Sequence, residues 1–258
     1  MKVSILGSGS SGNSIFLEIC NYKILIDAGF SCKKLEEKLN GIGESLENIQ
    51  GILITHEHMD HLMGAGIASR KYNIPIYITQ ESYESGLEKL GKLDSENIIF
   101  IEKDFYLGTS VKVYPFEVMH DAAKTLGFRI MGENSKSIAI STDIGYVDNR
   151  VREHFKNVDI IVIECNYDYN MLMNCKYPWD LKHRVKGRNG HLCNSDAGQL
   201  ICDVYSSKLK KIYLAHVSKD SNNYEIALNT VKSQLSASNI VLDVEIAYQD
   251  KWTDLFKI

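Results

Sequence analysis

The segment His56-Glu57-His58-Met59-Asp60-His61 constrains this chain more than any other stretch. Gly51-Ile52-Leu53-Ile54-Thr55 leads into it, and a Gly/Ala-rich helical pattern follows from Leu62 to Tyr72. Four potential metal ligands therefore sit in one turn between a strand and a helix. A turn can aim several imidazoles and a carboxylate at one point, whereas an extended strand sends alternate side chains to opposite faces. Imidazole and carboxylate donors suit zinc, manganese or iron at an open, hydrolytic site.

The chain has 258 residues, enough to bury a substantial core without disulfides or structural metals. Its net charge of −4 carries no global signature of nucleic acid or of an anionic membrane. Cys20, Cys32, Cys165, Cys175, Cys193 and Cys202 form no C-x-x-C pair, which argues against a zinc ribbon or a thioredoxin-type site. They read as free thiols in a reducing cytosol. Val3-Ser4-Ile5-Leu6 is far too short for a secretory apolar region. No apolar stretch approaches the ~20 residues that span a bilayer. The expectation is a cytoplasmic protein with no membrane partner.

Three strands are predicted in quick succession, at 2–6, 15–19 and 23–26. The loop Gly7-Ser8-Gly9-Ser10-Ser11-Gly12-Asn13 fits neither phosphate-loop pattern and is followed by a strand, so a tight hairpin carrying amides toward a site is the better reading. Ser31 reads as the N-cap of a helix with Leu35, Leu39 and Ile42 on one face. Further strands are expected at 51–55, 75–79, 97–101, 111–118, 126–131, 137–141, 158–164, 211–215 and 240–247. Helices are expected near 62–72, 81–90, 195–204 and 223–235. With no linker and no repeat, this pattern predicts one layered α/β domain over residues 1–258.

Three more residues follow buried strands directly. His120 ends Val111–Met119, Asp143 ends Ser137–Thr142, and His216 ends Lys211–Ala215. Strand ends are where loops converge to build sites. Singly, each residue reads as an ordinary buried histidine or turn aspartate. Together with the first motif, in the order cluster, His, Asp, His, they make a site.

In these residues the chain resembles the metallo-β-lactamase-fold superfamily. The resemblance implies a four-layer αββα sandwich with metals between the sheet edges. It also implies that Asp27, in Ile24-Leu25-Ile26-Asp27-Ala28-Gly29, supports the metal loop from behind rather than binding metal. Ser8–Ser14, His120-Asp121-Ala122, Ser141–Gly145, Gly190–Asn194 and Leu214–Ser218 are similar to the YycJ/WalJ group of bacterial metallo-hydrolases. That group is regarded as 5′-to-3′ DNA exonucleases linked to DNA repair, which implies a DNA substrate. Cys193 departs from the serine expected in the last-but-one of these stretches. The chain lacks the large inserted domain of the RNA-processing members, which weakens a ribonuclease reading.

By this resemblance His56, His58 and His120 hold one divalent ion. Asp60, His61 and His216 hold a second, and Asp143 bridges them. The ions would be Zn2+ or Mn2+, with iron a third candidate. Three neutral imidazoles leave an open position, where bound water reaches a pKa of ~7. A hydroxide shared by the ions would attack phosphorus, with Asp60 orienting it or taking its proton. A small-molecule hydrolase acting on a thioester, lactone or β-lactam is the main alternative on the same centre.

His191 and Asn194 lie in a Gly-rich turn before a helical pattern. Asn194 or Ser195 could cap that helix. The helix start is also an anion site, where His191 could bind the scissile phosphate or protonate the leaving oxygen. Lys182, Arg184, Lys186 and Arg188 fall at alternate positions just before it, with Lys176 and Trp179 nearby. The segment reads either as a solvated charged face or as a contact for a nucleic-acid backbone and a stacked base. Its adjacency to His191 favours substrate contact. His154, His183, Lys208, Lys210 and Lys211 read as surface residues. Strandedness and oligomeric state leave no mark in the residues.

Overall fold

The computed structural model describes residues 1–258. In chain order the strands are β1 (Lys2–Gly7), β2 (Ser14–Ile19), β3 (Tyr22–Ile26), β4 (Ile52–Leu53), β5 (Ile76–Ile78), β6 (Ile98–Phe100), β7 (Phe105–Leu107), β8 (Val111–Val118), β9 (Thr125–Gly132), β10 (Ser137–Ser141), β11 (Ile160–Glu164), β12 (Lys211–Ala215), β13 (Asp243–Ile246) and β14 (Phe256–Lys257). The helices are α1 (Cys32–Gly41), α2 (Met59–Leu62), α3 (Ala65–Tyr72), α4 (Gln80–Leu90), α5 (Asn149–Phe155), α6 (Tyr169–Asn174), α7 (Trp179–Val185), α8 (Asn194–Val204) and α9 (Tyr224–Ala237).

The strands form two seven-stranded sheets, in the order β14-β1-β2-β3-β4-β5-β6 and β13-β12-β11-β10-β9-β8-β7. In each sheet an antiparallel run passes into parallel strands, at β3–β6 and β10–β13. Both faces of both sheets are covered, which explains the unbroken apolar runs. Along β11, Ile160 and Val162 face the other sheet, while Ile161 and Ile163 face the outer helices. Along β3, Ile24 and Ile26 point inward and Leu25 outward. Three apolar layers result: one between the sheets, one under α1, α3 and α4, and one under α5, α8 and α9. This is the expected four-layer αββα sandwich. The chain contains no helix long and apolar enough to cross a membrane.

Ser31 caps α1, its hydroxyl accepting from Lys34 N. The helix expected at 62–72 is instead two, α2 and α3, broken at Met63 and Gly64. A Cβ on Gly64 would lie 2.2 Å from the Phe30 carbonyl oxygen, and Gly64 N donates to Ala28 O at 2.8 Å. The chain is thus pinned beside the end of β3 where α2 gives way to α3. The expected strand 51–55 shrinks to Ile52–Leu53, because Thr55 already bends into the histidine turn and bonds Asp27. Lys211 is not a surface residue: it is buried against Asp243 and Glu245, 2.7 Å from each. His154 is half-buried, stacked on Phe116 with ring centroids 4.4 Å apart.

Candidate metal centre and its surroundings

The site lies along one rim, where strands from both sheets end. Asp27 follows β3, the histidine turn follows β4, and His120 follows β8. Asp143 follows β10, Glu164 ends β11, and His216 follows β12. Because β10, β11 and β12 are adjacent and parallel, Asp143, Glu164 and His216 are brought side by side. Asp27 and His216 have φ of 60° and 53°, a left-handed backbone that costs non-glycine residues free energy and gathers at functional sites.

The histidine turn is clamped by backbone. Asn13 N donates to Asp60 O at 2.7 Å and Ala28 N to His61 O at 2.8 Å. Gly29 backs directly onto this peptide, and a Cβ there would lie 1.6 Å from Asp60 O. Only glycine allows that approach.

Four imidazoles show one arrangement: the outer nitrogen meets an oxygen, and the other turns inward. His56 Nδ1 is 3.0 Å from Thr55 Oγ1, and His61 Nδ1 is 2.8 Å from Asp27 Oδ2. His120 Nδ1 is 3.1 Å from Gly190 O, and His216 Nδ1 is 2.8 Å from Glu164 Oε1. Such outer partners fix the tautomer that aims a lone pair at a metal. His56 Nε2 and His58 Nδ1 are 3.0 Å apart, and ligand atoms of His56, His58 and His120 lie within 4.8 Å of one another. The same holds for His56, His61 and Asp143. Asp60 Oδ2 is 3.5 Å from His61 Nε2 and 3.8 Å from His216 Nε2. Asp143 Oδ1 reaches His216 Nδ1 at 3.2 Å and His120 Nε2 at 3.7 Å. Its Oδ2 is 3.0 Å from His61 Nε2 but lacks the alignment of a hydrogen bond, and is otherwise unpartnered. A buried carboxylate oxygen without a partner, facing converging imidazole nitrogens, fits a cation. These His and Asp residues could therefore hold divalent metal.

The electrostatics agree at His56 and His58. Burial, then the neighbouring His61, holds His56 well below the usual imidazole range, so it is neutral, the form that ligates. Burial also lowers His58. On His61 burial opposes charge, but Asp27 and Asp143 outweigh it and push the ring well up.

Glu164 is fully buried and was not singled out from sequence. Its Oε1 meets His191 Nδ1 at 2.7 Å and His216 Nδ1 at 2.8 Å. Its Oε2 accepts from Ile144 N at 2.8 Å and Leu192 N at 3.1 Å. One carboxylate thus orients two rings. The signal was a charged residue closing an apolar strand, which is rare without a partner. Asn13 was also missed; its Nδ2 lies 3.2 Å from Asp60 Oδ2 and 3.0 Å from His61 Nε2.

His191 enters the site, its ring centroid 5.2 Å from that of His120 and 5.3 Å from that of His216. Burial opposes its charge, but Glu164 outweighs this and lifts it to about 9. Asn194 does not face the site. It is 1% exposed, and its Oδ1 accepts from Cys165 Sγ and Asn222 Nδ2. It does not cap α8 either; Cys193 occupies the cap position, its Sγ 3.0 Å from Ser195 Oγ rather than bonded to a backbone N–H.

The basic segment is corrected in the same way. Residues 179–185 are helical, so alternate positions do not share a face. Lys182 is 7% exposed and donates to Met173 O at 2.6 Å, behind the helix. Lys186 is half-buried at the helix end. Arg184 and Arg188, four apart, are exposed and line one cleft beside Asp121. Arg188 stacks 4.3 Å from the centroid of the Tyr146 ring.

This rim and sandwich define a class. The chain belongs to the β-lactamase superfamily, whose domain model matches residues 22–216. Among individual proteins it is 37% identical to exodeoxyribonuclease WalJ of Streptococcus pneumoniae, over 98% of this chain and 95% of that protein. It is 36% identical to exodeoxyribonuclease YycJ of Bacillus anthracis, over 91% and 89%. It therefore falls in the YycJ/WalJ-like group. The metallo-β-lactamase fold protein YhfI of Bacillus subtilis superposes with a TM-score of 0.72 at 18% identity, covering 98% of each chain. Human short-form tRNase Z gives 0.68 at 15%, covering 100% of each, and shares the fold.

Proposed function

We propose that this protein is a two-ion metallo-phosphodiesterase that degrades DNA from an end, in the 5′-to-3′ direction implied by the YycJ/WalJ resemblance. The observation that carries the reading is His191 held by Glu164 at 2.7 Å, beside the inward-facing imidazoles and Asp143. Hydrolysis of a phosphodiester expels an alkoxide, a poor leaving group that needs a proton. With Nδ1 bonded to Glu164, the other ring nitrogen of His191 is free to donate one. The substrate class comes from the likeness to two exodeoxyribonucleases.

His56, His58 and His120 would hold one ion, Asp60, His61 and His216 the other, and Asp143 would touch both. Zn2+ or Mn2+ suits these donors, with iron third. When bound, such a pair supplies charge for the phosphoryl oxygens and an activated water. Asp60, partly open to solvent, would help orient that water. Asp27 and Thr55 hold the turn in place. Arg184 and Arg188 would meet the DNA backbone. Six free thiols support a reducing compartment, the cytoplasm, where a link to DNA repair would be exercised.

The test is a panel of 5′- and 3′-labelled single- and double-stranded DNA and RNA, with Zn2+, Mn2+ or chelator, alongside aryl phosphodiesters and nitrocefin. Metal-dependent loss of DNA from the 5′ end is expected. Turnover of nitrocefin or RNA with DNA untouched would contradict the reading.

A further inference from the structure

A cavity of about 310 Å³ adjoins the metal-ligand cluster and shares His191 and His216 with it. Its back wall is rigid: Ser218 N donates to Asn166 O at 2.9 Å and Asp168 N to Ser221 O at 3.0 Å. Two side-chain bonds close its flanks. Tyr177 Oη donates to Asp220 Oδ2 at 2.9 Å, tying the α6–α7 connection to the β12–α9 connection. Arg184 Nε donates to Asp121 Oδ2 at 2.5 Å, tying α7 to the loop after β8. Arg184 and Asp121 also line a second, more open cleft of about 540 Å³, so this pair is the partition between the two spaces. The open cleft is lined by Arg188, whose guanidinium packs on the Tyr146 ring from a neighbouring cavity, a cation beside an aromatic of the kind that tracks a single strand.

We propose that the smaller cavity is a terminal-nucleotide pocket, which takes the one nucleotide beyond the scissile bond while the rest of the strand lies in the open cleft lined by Arg188. The inference rests on the phosphodiesterase reading above. The volume sits at the foot of the roughly 300–1,000 Å³ range of small-molecule sites, room for one nucleotide unit rather than a run of them. Apart from His191, the proton donor at its mouth, the charged groups lining it, Arg184, Lys219, Asp121 and Asp220, sum to zero. A path for several phosphates needs a larger excess of positive charge than a single nucleotide does. The two clasps bound the cavity, so a longer overhang would have to displace one of them. Water adds across the P–O3′ bond, its hydroxyl going to the phosphorus that stays on the strand and its proton to the leaving 3′ oxygen, so a 5′-phosphorylated terminal unit departs as a mononucleotide.

The full-length protein with Mn2+ is given linear DNA with plain ends, or with fluorescein on the terminal base, and products are sized. Wild type is expected to release mononucleotides and to slow by about tenfold or more at the bulky end, as a walled pocket discriminates by size. Tyr177→Phe combined with Arg184→Ala removes both clasps. It is expected to accept the bulky end as readily as its own plain end and to release products of two or more nucleotides. Leu181→Ala, which widens the pocket wall, is expected to relieve the bulky-end defect in case the double variant folds poorly. Wild type that ignores the bulky end, or variants that keep its discrimination and product length, would overturn the pocket. Wild type that cuts no DNA would overturn the nuclease reading itself.

Discussion

Replacing Asp143 with alanine is expected to lower DNA hydrolysis by about 10³-fold or more, while the protein stays folded. Asp143 is the one carboxylate that reaches ligands of both proposed ions, at 3.0 Å from His61, 3.2 Å from His216 and 3.7 Å from His120. Without it the buried imidazoles lose the negative charge that draws two cations together. Charge stabilisation of this kind is worth several kcal/mol at the transition state, and each ~1.4 kcal/mol is a factor of ten. The fold should survive, because Asp143 lies beyond the end of β10 and takes no part in its pairing with β9 and β11. Melting temperature and DNA degradation measured side by side check both halves. Full activity in a folded Asp143→Ala protein would sink the two-ion mechanism.

The second large effect concerns His191 and depends on the leaving group. His191→Ala is expected to slow DNA cleavage by about 10²- to 10⁴-fold, the usual contribution of a positioned acid. Hydrolysis of a p-nitrophenyl phosphodiester should fall far less, because nitrophenolate leaves without a proton. Glu164→Gln is the companion variant. Glutamine cannot accept from the two rings and from Ile144 N and Leu192 N at once, because one end of its amide is a donor. Since Glu164 also orients His216, both substrates should suffer, by about 10- to 100-fold through the metal ligand alone. Equal losses on both substrates in His191→Ala would mean that His191 does not protonate the leaving oxygen.

Much of this architecture is legible in the residues, for a physical reason. Strands β10 and β12 match their expected bounds because both are buried along their length and give way just beyond their ends to polar residues. Their ends are also where Asp143 and His216 sit, so one pattern carries both the fold and the rim. The histidine turn is legible because its donors are contiguous. Glu164 was harder: it is the last residue of a strand and looks like the edge of a polar loop until the adjacent parallel strands place it between Asp143 and His216. Asn13 is drawn in by a hairpin closure that no local spacing encodes.

The segment from Lys176 to Arg188 shows the opposite failure. Its alternate charges imitate a strand face, but Pro178 opens a short helix, and the charges scatter around it. Lys182 turns inward to satisfy Met173 O, and only Arg184 and Arg188 remain beside the cleft. Asn194 likewise satisfies buried partners, Cys165 and Asn222, rather than a ligand. A polar residue in a site-like stretch can serve the fold instead, and only its hydrogen-bond partners distinguish the two.

The most direct measurement is metal titration of the chelator-stripped protein, read by calorimetry and elemental analysis, for wild type and for Asp143→Ala. Wild type is predicted to bind two divalent ions per chain, with both lost or weakened together in the variant. One ion or none in wild type, or two unperturbed ions in the variant, would contradict the centre described here.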